Sequence, residues 1–257
     1  MMKRLWSLIL AALILSGCAS VPRPVGNPSA EVEPPTDAWA RVLAKYVDAQ
    51  GRVNFAGLAN DRADLNRYVA WVYDIGPNNT PALFNTPERV LAYHLNAYNA
   101  LAMHKVLESG TPESLAGLKK VGFFYLGKVQ VGGVPMTLYD YENKLIRKLG
   151  EPRVHFALNC MSVGCPRLPQ EPFVAERLNA QLEREAHTFF NEARNVQVDD
   201  AAKTVAFSEI LKFYTEDFLK AAPSLIVFAN KYRDVKIPEN YALAPFIPYD
   251  WTINRQP

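Results

Sequence analysis

The densest group of reactive side chains in the sequence is the stretch HFALNCMSVGCP, at residues 155–166. We expect residues 153–158 to form a buried strand, so that His155 and Asn159 lie on one face and Cys160 begins the following loop. A thiol at such a strand end becomes a nucleophile when an imidazolium ion or loop N–H groups lower its pKa. The stretch therefore predicts Cys160 as a nucleophile with His155 as its base.

Two other interpretations of the same residues remain open. Cys160 and Cys165 form a structural disulfide if the protein folds in an oxidising compartment. Alternatively, these two cysteines and His155 bind a metal ion, but zinc requires a fourth ligand that the stretch does not supply. We therefore predict no metal site and no cofactor, and we keep both the nucleophile and the disulfide as interpretations of the pair.

A buried central helix must position these groups. Thr86 is a good N-cap, Pro87 suits the first helical position and Gly110 ends the helix. The residues between are apolar nearly all round, which predicts burial on every side. Asn96 and Asn99 lie on this helix, and buried amides must be hydrogen-bonded. We expect them to fix loops or strand ends to the helix, with orientation of a catalytic imidazole by Asn99 as the functional alternative.

Glu142 lies on a short helix that precedes the expected strand. Its position allows it to orient His155 or to form an ion pair with Arg147 or Arg153. Ion pairing is the default for a carboxylate near arginine side chains. Like Asn96, Asn159 is assigned a structural polar role.

The remaining periodicity predicts more helices and two hairpins around the central helix. Helical spacing of apolar residues marks residues 36–51, 62–74, 174–193, 208–221 and 224–233. A strand-like pattern with a Gly132-Gly133 turn predicts one hairpin within residues 123–138, and Asp199-Asp200 predicts another at 196–207. Because strands and helices do not alternate regularly, we expect an α+β fold. It is a single domain with a buried central helix, several amphipathic helices and a small, mostly antiparallel sheet.

The N-terminus predicts export and lipid anchoring. Lys3 and Arg4 precede an apolar run that ends in Leu-Ser-Gly-Cys18, the pattern of a signal peptide at residues 1–17 closed by a lipobox. The run is too short to span a bilayer as a helix. We therefore expect cleavage before Cys18 and lipidation of its thiol. Since Ala19 follows, and not aspartate, we expect an outer membrane lipoprotein that faces the periplasm, with the membrane as its partner.

Composition separates a tether from a globular domain. Residues 18–35 carry five prolines and few apolar side chains, which predicts a tether, and residues 36–257 form the single globular domain. Removal of the signal peptide leaves 26 basic and 26 acidic residues. The mature protein is therefore formally neutral, and its net charge gives no reason to expect nucleic acid as a partner.

Several stretches resemble the domain of unknown function family 547, DUF547. They are residues 46–55, 95–101, 155–160 with 164–166, 210–218 and 248–251. The resemblance covers nearly the whole mature domain and implies the fold of the family, which has no established activity to carry over. The usual Glu-His pair of the family stands here as Glu142-Asn143, so no role of that histidine carries over. Eukaryotic relatives that keep a match to Cys160 and lack one to Cys165 imply that Cys160 is the functional thiol.

The leading hypothesis is a cysteine-dependent hydrolase or acyl transferase that acts on an envelope substrate. Cys160 would be the nucleophile and His155 the base, with Glu142 or Asn99 orienting the imidazole and loop N–H groups after Cys160 forming an oxyanion site. The rival hypothesis is a non-catalytic binding or scaffold lipoprotein, in which a disulfide between Cys160 and Cys165 only makes a loop rigid.

Overall fold

The computed structural model describes residues 23–24 and 34–257. The signal peptide, the expected lipidation site Cys18 and most of the expected tether lie outside the described residues. Arg23, within that tether, forms an ion pair with Asp74 of the globular part. Among the described residues, no helix has the length and apolar character needed to cross a membrane.

Helices dominate the described chain, and two small sheets accompany them. The α-helices are α1 (Thr36–Tyr46), α2 (Phe55–Asn60), α3 (Ala63–Asp74), α4 (Pro87–Glu108), α5 (Leu118–Val121), α6 (Leu138–Asp140), α7 (Leu178–Asn191), α8 (Glu209–Phe213), α9 (Thr215–Ala221) and α10 (Leu225–Asn230). The strands are β1 (Lys128–Val131), β2 (Val134–Thr137), β3 (Val196–Asp199), β4 (Thr204–Phe207) and β5 (Ala242–Leu243). The α+β prediction is confirmed.

Both predicted hairpins are present. β1 pairs antiparallel with β2, and Val131 opposite Val134 leaves Gly132 and Gly133 as the two turn residues. Both turn residues have positive φ angles, 54° and 81°, a conformation that glycine adopts without steric cost. β3 pairs antiparallel with β4, and β5 adds a short parallel pairing to β4. The strands therefore form two separate sheets, where the sequence predicted one.

α4 is the buried central helix that the sequence predicts. Its N-cap Thr86 accepts the N–H of Arg89 at 3.2 Å, and Pro87 occupies the first turn. Every residue from 91 to 107 is buried, because α3 and shorter helical turns pack around the helix. The polar side chains on this stretch must therefore find their partners within the protein.

The prediction of a strand at residues 153–158, just before Cys160, is wrong. Pro152–Phe156 is a 3-10 helix, which begins with a proline, as helical turns often do. Its side chains alternate because they enter two different cores: Val154 packs into the cluster around α4, and Phe156 into a second cluster. A short apolar run with this alternation does not distinguish a strand from a helical turn. His155 therefore lies on the helical turn, and Asn159 lies in the loop after it.

The hydrophobic core has two parts. The first cluster surrounds α4, and the second is rich in phenylalanine: Phe156, Phe189, Phe190, Phe207, Phe218 and Phe228. Tyr249 packs against both. Among the described residues, the members of both clusters lie between Trp39 and Ile253, so we expect residues 34–257 to fold without the preceding segment.

Two other segments differ from the prediction in ways that shape the site. The helix expected at residues 208–221 breaks at Tyr214 into α8 and α9, and the Thr215 hydroxyl donates to Leu211 O at 2.7 Å across the break. Residues Gly122–Leu126, which were expected to be strand-like from residue 123, form a π-helical turn after α5. Both segments border the cavity described next.

Candidate functional site

A cavity of about 330 Å³ contains both thiols and His155. Cys160 and Cys165 line it together with His155 and Glu142, whereas Asn99 does not line it. Aromatic side chains form much of the wall: Tyr98, Phe124, Tyr125, Tyr139, Phe213, Tyr214, Tyr249 and Trp251. A mostly apolar cavity with a few converging polar groups is the usual form of a small-molecule site.

The two cysteines are free thiols whose Sγ atoms lie 2.9 Å apart. The hydroxyl of Tyr249 lies 3.1 Å from the Cys160 sulfur and 2.9 Å from the Cys165 sulfur. Ser162 Oγ lies 3.4 Å from Cys160 Sγ, and the Cys160 N–H donates to Cys165 Sγ at 3.0 Å. Each sulfur therefore has polar neighbours that can stabilise negative charge on it.

These contacts give the two thiols different pKa values. Burial disfavours a thiolate at Cys160, but hydrogen bonds from Cys165, Ser162 and Tyr249 outweigh it and lower the pKa of Cys160 to about 7. Burial and the neighbouring Cys160 sulfur raise the pKa of Cys165 well above its usual value. The pair therefore loses its first proton near neutral pH and retains the second.

Asn159 and Asn99 shape the loop that holds Cys160. Asn159 Oδ1 accepts the N–H of Met161 at 2.7 Å, and its Nδ2 donates to Pro166 O at 2.7 Å, so this amide closes the loop. Asn99 Nδ2 donates to Ala157 O at 2.9 Å, and its Oδ1 accepts the N–H of Asn159 at 2.8 Å. The central helix thus fixes the chain directly before the thiol.

Asn96 fixes another segment of the chain, at Phe173, to the central helix. Its Oδ1 accepts the N–H of Phe173 at 2.9 Å, and its Nδ2 donates to Phe173 O at 2.7 Å. The Trp39 indole also donates to Oδ1. These bonds are the ones expected of an amide that fixes a loop to the helix.

His155 is held by an acidic residue that the sequence analysis did not identify. Its Nε2 lies 3.0 Å from Asp217 Oδ2, and its ring stacks on Tyr214 with centroids 3.8 Å apart. The hydrogen bond to His155, against some burial and with help from Arg147, holds the pKa of Asp217 well below its usual range. Arg147 Nε donates to the same carboxylate at 2.7 Å. Asp217, and neither Glu142 nor Asn99, is therefore the hydrogen-bond partner of this imidazole.

The His155 imidazole is in its neutral form. Burial lowers its pKa, although the hydrogen bond to Asp217 acts in the opposite direction, so the ring is neutral near pH 7. With Asp217 ionised, Nε2 carries the proton and Nδ1 keeps its lone pair. Nδ1 is buried and has no hydrogen-bond partner among the described residues. Within the described chain, no hydrogen bond joins His155 to either sulfur.

Glu142 does not form the expected ion pair. Its Oε2 accepts the hydroxyl of Tyr98 at 3.1 Å, and Tyr214 also forms a hydrogen bond with it. Arg147 and Arg153 pair with other carboxylates. Glu142 is therefore a buried carboxylate in the cavity wall that is held by tyrosine hydroxyls.

The loop N–H groups after Cys160 are mostly engaged, contrary to the expected oxyanion site. Those of Val163 and Gly164 donate to the C-terminal segment, and that of Cys165 donates to Ser162 O at 3.1 Å. The Ser162 N–H contributes to the lowered pKa of Cys160 and acts against the raised pKa of Cys165. Hydrogen-bond donors to a substrate must therefore come chiefly from side chains. The Tyr249 hydroxyl is such a donor and lies beside both sulfurs.

The close approach of Tyr249 depends on Gly164. A Cβ added at Gly164 would lie 2.8 Å from Asp250 N and 2.9 Å from the Tyr249 ring, so only glycine permits this packing. The sequence analysis assigned no role to Tyr249, Tyr214 or Asp217. All three lie within the stretches 210–218 and 248–251 that resemble DUF547, and that resemblance was the available signal.

The metal-binding interpretation of the two cysteines and His155 finds no geometric support in the described part of the chain. No group of three or more His, Cys, Asp or Glu side chains there is arranged to hold a metal ion.

Comparison with known proteins gives one family. The model of the family described as "Protein of unknown function, DUF547" matches residues 83–190. This segment contains α4, Glu142, His155 and both thiols, and it excludes Asp217 and Tyr249. No curated protein and no solved structure matches this chain. The family assignment of the segment supports the resemblance and brings no activity with it.

Proposed function

We propose that this protein is a cysteine-dependent hydrolase or acyl transferase of the bacterial envelope, with Cys160 as its nucleophile. The observation that carries the proposal is a buried thiol whose pKa is lowered to about 7 at the wall of a cavity. Thiolates at neutral pH are strong nucleophiles toward acyl carbon. His155, held by Asp217 in its neutral form, supplies the base in the same cavity.

In the proposed reaction, the Cys160 thiolate that forms near neutral pH attacks the carbonyl carbon of the substrate. The bond from that carbon to the leaving group breaks, and the leaving group takes a proton from water. A thioester remains on Cys160. Water hydrolyses it to a free acid, or an acceptor nucleophile takes the acyl group; in this second step His155 is the base that accepts the proton of the attacking group, and Cys160 is released.

The proposed location rests on the N-terminal sequence. The lipobox supports lipidation of Cys18, and Ala19 supports sorting to the outer membrane with the domain facing the periplasm. Cys18→Ser should leave an unprocessed precursor that takes up no palmitate. Palmitate incorporation at the wild-type level in this variant would contradict the anchor.

A test of the chemistry is acylation of reduced residues 34–257 by p-nitrophenyl acetate. We expect a burst of nitrophenolate and an acetyl adduct that mass spectrometry locates on Cys160. Cys160→Ala should abolish both, while Cys165→Ala, the matched control, should keep the adduct on Cys160 and form it more slowly. An adduct on Cys165, or a burst that survives Cys160→Ala, would overturn the proposal.

The second candidate is a non-catalytic binding or scaffold lipoprotein, and the 2.9 Å separation of the two sulfurs favours it. A disulfide bond is about 2.05 Å long, so only a small movement is needed when an oxidant, such as a thiol–disulfide oxidoreductase of an oxidising compartment, takes up two electrons and two protons from the thiols. In that case the protein isolated without reductant has no titratable thiol at Cys160 or Cys165. Reduction would then expose thiols of ordinary reactivity and no acyl adduct would form.

A further inference from the structure

The segment at the cavity mouth exposes apolar side chains to solvent. We call residues Leu118–Val121 with Gly122–Leu126 the mouth segment. Leu118 is 90% exposed, Leu126 63% and Tyr125 45%. Large apolar side chains in such a cluster mark an interaction surface, whereas scattered ones do not.

The mouth segment is also locally basic. Residues 116–128 contain Lys119, Lys120 and Lys128 and no acidic residue. The mature chain as a whole has balanced charges, so this surplus is a property of the segment. Lys120 Nζ lies 4.0 Å from the centroid of the Trp251 ring, which keeps one positive charge beside the opening.

The mouth segment is anchored to the hydrophobic core. Phe123 and Phe124 are buried in the cluster around α4, and the buried ammonium of Lys105 donates to Phe123 O and Gly127 O. The same segment lines the cavity through Lys120, Phe124 and Tyr125. The apolar side chains are therefore presented by an anchored turn beside the entrance to the thiol.

We propose that the mouth segment docks on an anionic lipid bilayer and that the cavity receives an acyl group from a membrane lipid. Exposed leucine and tyrosine side chains with flanking lysines are the composition of an interfacial element, because apolar burial and attraction to anionic headgroups add. Protein interfaces are depleted in lysine at their centres, which disfavours a protein partner. The acyl substrate rests on the proposed function, and the docking does not.

The docking is tested with residues 34–257 and vesicles of phosphatidylcholine, with or without phosphatidylglycerol. We expect binding that requires phosphatidylglycerol and weakens with salt. Leu118→Glu with Leu126→Glu should lower the partition coefficient at least about tenfold, since it removes two apolar side chains and adds two negative charges. The matched control is Val235→Glu, because Val235 is 74% exposed and lines no part of the cavity, and it should bind like the wild type.

Tryptophan fluorescence locates the contact. Trp39 and Trp71 are buried, whereas Trp251 lines the cavity beside Lys120. Brominated acyl chains in the vesicles should quench the wild type and the Val235→Glu control, and should not quench the double variant. Equal binding by the double variant, indifference to phosphatidylglycerol, or self-association of the wild type through this segment without lipid would overturn the docking.

The substrate class is tested with two esters of p-nitrophenol. Cys160 of the double variant should react with the soluble acetate like the wild type, and it should lose most of its reaction with the palmitate ester carried in vesicles. Equal reaction of both proteins with the palmitate ester would overturn the acyl assignment alone. Absence of any adduct from either ester would overturn the proposed function, while vesicle binding would still decide the docking.

Discussion

The amides of the central helix and the polar groups of the cavity are equally buried, but they have different partners. Asn99 is 1% exposed and His155 is 3% exposed. The side-chain bonds of Asn99 go to backbone groups, whereas the cavity groups bond chiefly to one another's side chains. His155 Nδ1 has no partner in the described chain. Burial therefore does not distinguish these two groups of polar residues, whereas the kind of hydrogen-bond partner does.

The difference has a physical reason. A backbone N–H or C=O keeps its protonation state, so an amide bonded to it stabilises the fold and nothing titrates. Thiol, imidazole and carboxylate groups that bond to one another redistribute protons, and each changes the pKa of its neighbour. Substitution of an amide on α4 should therefore alter stability without altering titration, whereas substitutions in the cavity should alter the titration of neighbouring groups.

The largest expected change in stability is that of Asn99→Leu. It leaves the Ala157 carbonyl and the Asn159 N–H without partners, which costs about 1–3 kcal/mol of unfolding free energy. We expect the thermal midpoint to fall by roughly 2–4 °C for each kcal/mol. Asn240→Leu, at an exposed position, is the control and should melt like the wild type. An unchanged thermal midpoint for Asn99→Leu would contradict the conclusion that the α4 amides stabilise the fold.

Asp217→Asn should change how stability depends on acid pH. Because the folded pKa of Asp217 lies below its unfolded value of about 4, its contribution is complete above that value. The contribution is lost as pH falls toward the folded pKa. Urea unfolding from neutral to acid pH should show a smaller acid loss in Asp217→Asn than in the wild type. Parallel curves for the two proteins would mean that the carboxylate is not linked to folding.

Lys105→Met should change stability in alkaline solution. Burial lowers the pKa of Lys105 to about 8, whereas an unfolded lysine has a pKa of about 10.4. Between these values the unfolded chain binds more protons at this position, so Lys105 should contribute stability that rises with pH in this window. The raised pKa of Cys165 opposes this rise in both proteins, so the quantity to measure is the difference in urea unfolding free energy between the wild type and the variant. A difference that does not shift in favour of the wild type across the window would contradict the burial of an ammonium on α4.

The smallest expected change in stability is that of Tyr249→Phe. The ring packs against both clusters and remains in the variant, so only the hydroxyl contacts to the sulfurs are lost. We expect the loss of roughly 0.5–1.5 kcal/mol that is typical of one hydrogen bond. A thermal melt measures it. A loss as large as that of Asn99→Leu would show that the cavity groups also serve mainly as structure.

The sequence predicts the helix region better than the cavity. The cap at Thr86, the apolar circumference of α4 and the glycine turn of the first hairpin are local signals, and each is confirmed. The turn that carries His155 was assigned as a strand, because Val154 and Phe156 alternate for a tertiary reason. Local periodicity contains no information about two cores that meet at one turn.

The cavity partners were missed because they are distant in sequence. Tyr249 lies 89 positions from Cys160, and Asp217 lies 62 positions from His155. Neither stands in a motif with a fixed spacing to the thiols, and only folding brings them together. The sequence indicated Cys160 as a candidate nucleophile, but it did not indicate the distant groups that lower the pKa of this thiol.

The central claim is that hydrogen bonds from neighbouring side chains, and not an ion pair with His155, lower the pKa of Cys160. The most direct test is the pH dependence of iodoacetamide modification of reduced residues 34–257, with mass spectrometry to locate the adduct. We predict a midpoint near pH 7 for Cys160. Tyr249→Phe and Cys165→Ala should move it upward, and His155→Ala should leave it nearly unchanged. A midpoint of about 8.5, as for a free cysteine, or a midpoint that moves only in His155→Ala, would contradict the account.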